Sequence, residues 1–136
     1  MKKVLMDKRE QRIMQLLWEQ ENGEALSVAD FERLFAGEKI SRPTIFKALQ
    51  SLMEKGYVSV AGLEPAGTVY ARKYEPQITR EEYAAVVLQK NGIGSASLGS
   101  LALAMLGNEK DGKRDENKDA ELIRELEEII ERIRKG

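Results

Sequence analysis

Between Ile40 and Gly56 the chain sets out, at helical spacing, side chains suited to holding phosphate and reading base edges: Ser41, Arg42, Thr44, Phe46, Lys47, Gln50 and Ser51. Hydroxyls near a helix N-terminus, where backbone N–H groups are unpaired, suit a phosphate. An ammonium such as that of Lys47 meets phosphate or a guanine edge, and an amide such as that of Gln50 pairs with adenine. Farther along, Arg72 and Lys73 add two cations that either neutralise phosphate or end a solvated strand. Phe46 is the odd member. It either touches a thymine methyl group or packs on neighbouring helices with the face rotated slightly.

The elements that must position this set read directly from capping and periodicity. Ser41 is a good N-cap, Pro43 suits the first helical turn, and Gly56 closes the helix. Ile45, Leu49, Leu52 and Met53 fall on one face and predict the buried side. Tyr57–Val60 and Thr68–Tyr70 have strand composition around a Gly- and Pro-containing loop, Leu63–Gly67, which carries no basic residue.

Upstream, residues 8–20 place Ile13, Leu16, Leu17 and Trp18 on a core-facing stripe. Ser27 with Asp30 resembles a capping box and predicts a second helix with Phe31, Leu34 and Phe35 inward, stopped at Gly37. Two short helices so tightly joined, followed by a hairpin, predict a winged helix-turn-helix. Downstream, Thr79 and Glu82 form a full capping box for a helix carrying Tyr83, Val86 and Val87 to about Lys90. A nearly uncharged helix follows over 95–106, then a flexible charged loop over 107–119. A last helix over Ala120–Arg134 spaces Leu122, Leu126, Ile129 and Ile133 by four, three and four.

The fold class is therefore mainly α with a small β-hairpin. A winged-helix domain is expected over 1–76 and a three-helix dimerisation region over 77–136. The tail is too short and polar to bury its aliphatic surface alone. Interlocking with a second copy would cover it, with Tyr83, Leu98, Leu101, Met105, Leu122, Leu126, Ile129 and Ile133 at the seam. A homodimer also suits paired half-sites on a DNA duplex.

Composition narrows the functions. There is no cysteine and no histidine, so thiolate metal sites and the commonest general base are absent, and neither metal nor cofactor is expected. The carboxylate pairs Glu81-Glu82 and Glu127-Glu128 read as capping and solvation, and an enzyme is not expected. No apolar run reaches a membrane span and no signal-peptide pattern opens the chain, which predicts a cytoplasmic protein. The net charge of −1 divides into +2 over residues 1–80 (13 Lys and Arg, 11 Asp and Glu) and −3 over 81–136 (9 and 12). That asymmetry permits nucleic-acid binding without requiring it.

With these residues in hand, the chain resembles the penicillinase-repressor family over roughly Glu10–Arg134. The first-helix pattern IMQLLWE, the Ser-x-x-Thr-Ile start of the third helix, Lys-Gly-Tyr-Val at the wing, TREEYAA and GIGSASLGSLALAML carry the likeness. The resemblance implies a homodimeric transcriptional repressor on palindromic operators, with Thr44, Lys47, Gln50 and Ser51 toward DNA. Phe46 and Pro43 depart from the family pattern, so operator sequence does not transfer. The copper-responsive branch needs a cysteine cluster that this chain lacks. The β-lactam branch implies inactivation by a sensor-controlled protease, and position in the Leu-rich helix places the matching bond at Ala104–Met105. A cut there would remove the last helix and much of the dimer seam.

Two other readings compete. A MarR- or PadR-like regulator would hold a small molecule at the dimer interface, but the dimerisation region expected over 77–136 offers Tyr83 as its only aromatic. A winged-helix protein-interaction adaptor would show no affinity for any duplex.

Overall fold

A computed structural model describes residues 4–109 and 115–136. The chain divides into two compact units, Met1–Ile93 and Gly94–Gly136. The first therefore runs past the boundary expected at residue 76.

In the first unit, helix α1 (Lys8–Glu19) starts at Asp7, whose side chain accepts from the Glu10 N–H while the Glu10 carboxylate accepts from the Asp7 N–H. A two-residue strand β1 (Leu26–Ser27) leads into α2 (Val28–Leu34), capped by the reciprocal Ser27–Asp30 pair. Helix α3 (Arg42–Glu54) follows, capped by Ser41 and ended at Gly56, which takes φ +81°. Strands β2 (Val58–Ala66) and β3 (Val69–Pro76) form a hairpin turning at Gly67–Thr68, with β1 added on the far side of β3, giving the order β1-β3-β2. Helix α4 (Arg80–Lys90) closes the unit with the Thr79–Glu82 capping box. The sequence α1-β1-α2-α3-β2-β3 is that of a winged helix.

Each helix buries one stripe into a shared core of Ile13, Leu17, Phe31, Ile45, Leu49, Leu52, Tyr57 and Tyr74. Two side chains expected inward do not reach it: Leu34 and Met53 remain 40% and 36% exposed at the edges of their stripes. The wing is longer than expected. Leu63–Ala66 belong to β2, and only Gly67-Thr68 turn, with Ala66 opposite Val69. The register shifts between Val60 and Gly62, the local irregularity an extra strand residue makes.

Tyr83 lies in this core rather than at a seam. Its ring packs edge-on to Tyr57 at 5.8 Å and tilted to Trp18 at 6.4 Å, and its hydroxyl accepts from the Met6 N–H at 2.7 Å. Burial of Ile78 and Tyr83 ties α4 to the first unit.

The second unit holds a 3₁₀ turn, Ser95–Ser97, then α5 (Leu98–Asn108) and α6 (Glu116–Lys135). Helix α6 begins earlier than the expected Ala120, capped by Asp115, so much of the span expected as a loop over 107–119 is helical; residues 110–114 lie outside the described residues. No residue of α5 or α6 is buried.

Candidate nucleic-acid interface

Helix α3 presents two unlike sides. Ile45, Ala48, Leu49 and Leu52 are buried, while Arg42, Phe46, Lys47 and Gln50 are exposed. Ser41 and Thr44 hold the start of the helix: the Ser41 Oγ accepts from the Thr44 N–H, and the two hydroxyl oxygens stand 2.8 Å apart. Residues four apart on a helix stack along one face. Arg42, Phe46 and Gln50 therefore form a stripe, and Lys47 stands beside it.

The stripe faces the wing across a groove of about 820 Å³, lined by Arg42, Phe46, Gln50 and Met53 from α3 and by Val69, Tyr70 and Arg72 from β3. Alternate strand residues share a face, so Arg72 lies on the side of the core residue Tyr74, the side turned to the helices. Lys73 lies on the other side, 3.8 Å from the Glu64 carboxylate. Both sit within β3 rather than at its end. Arg42 pairs with Glu32 at 2.7 Å, and both side chains are well exposed. Such a surface pair contributes on the order of 0–1 kcal/mol, so the guanidinium exchanges readily to a phosphate. Among the described residues Lys47 and Arg72 form no ion pair, leaving their charge to solvent or ligand.

Ser51 does not join this face. Its hydroxyl donates to Glu10 Oε2 at 2.7 Å, inside the unit, so the position expected to meet DNA is taken up by packing α3 on α1. Glu10 has no exposed surface. Its other oxygen accepts from Lys55 Nζ at 2.6 Å and from the Asp7 N–H at 2.8 Å. Burial pushes the Glu10 carboxyl up, but the bonds from Lys55, the Asp7 N–H and Ser51 outweigh it and hold the group below its ordinary value. Sequence reading missed this cluster. The local signal was the pattern Asp7-x-x-Glu10; nothing local marks Ser51 or Lys55 as its partners.

The other residues assigned to a seam lie in the second unit. Leu98, Met105, Leu122 and Ile133 are exposed, and Leu101, Leu126 and Ile129 half-buried. Ala104 is exposed beside Met105. Among the described residues no helix is long and apolar enough to cross a membrane, and no group of acidic side chains is placed to hold a metal ion.

The profile of the family described as penicillinase repressor matches residues 6–132. The chain belongs to the penicillinase repressor family. That match spans both units, so the C-terminal helices are part of the likeness along with the winged helix. The family is one of transcriptional repressors rather than enzymes. No curated protein matches the sequence.

Proposed function

We propose that this member of the penicillinase repressor family represses transcription as a homodimer that places α3 of each protomer in the major groove of a palindromic operator. The observation that carries the reading is the division of α3 into a buried apolar face and an exposed one bearing Arg42, Lys47 and Gln50 with no acidic residue before Glu54. Arg72 on the wing extends the cationic surface to the flanking backbone. The dimer seam is assigned to Leu98, Leu101, Met105, Leu122, Leu126, Ile129 and Ile133, whose uncovered apolar surface a second copy would bury. Ala104–Met105 is the bond whose cleavage would release α6 and with it the pairing of half-sites.

Lys47→Ala should weaken binding to all duplexes alike and flatten the salt slope by about one per protomer. Gln50→Ala should cost roughly 1–3 kcal/mol at one base position and relax preference there. Both positions are exposed, so melting temperature should stay unchanged. Wild-type affinity in both variants would show that another face of the helix meets the duplex.

A further inference from the structure

Phe46 is a large apolar ring left 47% exposed on the outward stripe of α3, and it is not packed against the core cluster. The alternative of a slightly rotated helix, with Phe46 laid on the first two helices, is therefore not the arrangement adopted. The ring is not loose either. The Arg42 guanidinium stands over it, 5.8 Å from the centroid. Cations over an aromatic face are attracted by its quadrupole, so this contact favours one ring orientation. On the same stripe stands Gln50, one helical turn on, and Lys47 is adjacent.

An exposed aromatic side chain between groups that suit phosphate and base edges has a natural apolar counterpart in the major groove, the 5-methyl group of thymine. We infer that Phe46 reads a thymine methyl in each half-site, with Arg42 as the positioning residue that sets its ring. The inference rests on the DNA-facing reading of α3 and names one base class that the face selects. A protein partner for the same patch is less well matched. Arg42 stands over the ring, Lys47 follows it on the helix and Arg72 lines the groove; of the two acidic residues in the same lining, Glu54 and Glu64, the latter is paired with Lys73.

Removing one methyl from a contact of this kind weakens binding roughly fourfold, and two half-sites together about fifteenfold. The test compares the duplex upstream of the protein's own gene made with thymine against the same duplex made with uracil throughout, which keeps base pairing and deletes only the methyl groups. The full-length wild-type chain should prefer the thymine duplex by about that factor. Phe46→Ala should bind both duplexes equally, Phe46→Leu should retain part of the preference, and Arg42→Ala should lower the preference beyond any general loss of affinity. Indifference of the wild type to uracil would overturn the inference, as would full discrimination by Phe46→Ala with an unchanged melting temperature. Binding of the thymine duplex no tighter than of a scrambled one would instead remove the DNA-facing reading and this inference with it.

Discussion

A chain ending at Asn108 is expected to be monomeric at micromolar concentration and to bind its operator about 10²- to 10⁴-fold more weakly than the full chain. The deletion takes away α6 and leaves the winged-helix unit intact, since every core residue lies before Ile93. Helix α6 runs 20 residues and keeps Ile123, Ile130 and Ile133 open to solvent alongside half-buried Leu126 and Ile129. Aliphatic surface of that extent along one helix is stabilised by a partner helix. In a dimer, binding of one recognition helix makes binding of the second intramolecular, which is where the lost factor comes from. Sedimentation velocity and operator binding on the same preparation check it. A truncated chain that stays dimeric would remove α6 from the seam and leave pairing to α5 or to the first unit.

The second large effect concerns stability. Lys55→Met is expected to lower unfolding free energy by about 3 kcal/mol at neutral pH, because it leaves the Glu10 carboxylate buried without its cation. The value sits at the low end for such losses because the Ser51 hydroxyl and the Asp7 N–H still bond the carboxylate. Glu10 is held below its ordinary pKa of 4.5, so its contribution is fully present above that pH and fades as pH falls through the lower folded value. Asp30, also held below its ordinary 3.8, behaves alike: burial raises it, but bonds from Ser27 and Arg33 prevail. The Lys55→Met deficit should therefore narrow in acid, where the variant's carboxyl takes up a proton and needs no cation. Denaturant melts at neutral pH and near pH 4 decide it. Equal deficits at both would mean that Lys55 acts through packing rather than charge. Because the pair braces the end of α3 against α1, lost operator affinity in Lys55→Met would also report on the placement of α3.

What was legible in the sequence was local. The Ser27–Asp30 and Thr79–Glu82 capping boxes and the Ser41 cap are four-residue patterns whose hydrogen bonds close within one turn, and all three start helices where expected. Strand β1 was not legible, because Leu26 and Ser27 become strand only by pairing with Tyr74 and Lys73 on β3. The wing was underestimated because Gly62 and Pro65 read as breakers. Strand β2 is an edge strand, where proline is tolerated, and Gly62 sits at the register shift. The start of α6 was hidden by its polar first turn, in which Glu116 and Asp119 favour the helix electrostatically without adding apolar periodicity. On α3, Arg42, Phe46, Lys47 and Gln50 stand on the exposed side, away from the buried stripe that their spacing predicted. Ser51 and Tyr83 were misplaced because their partners, Glu10 and Met6, are distant in the chain.

The most direct test of the account is binding of the full-length chain to the duplex upstream of its own gene and to a scrambled duplex of equal composition, across a salt series. The account predicts a clear preference for the upstream duplex and an affinity falling by about 100-fold or more between roughly 50 and 200 mM salt. Equal, weak binding to both duplexes at every salt concentration would contradict it and leave the winged helix a surface for something other than DNA.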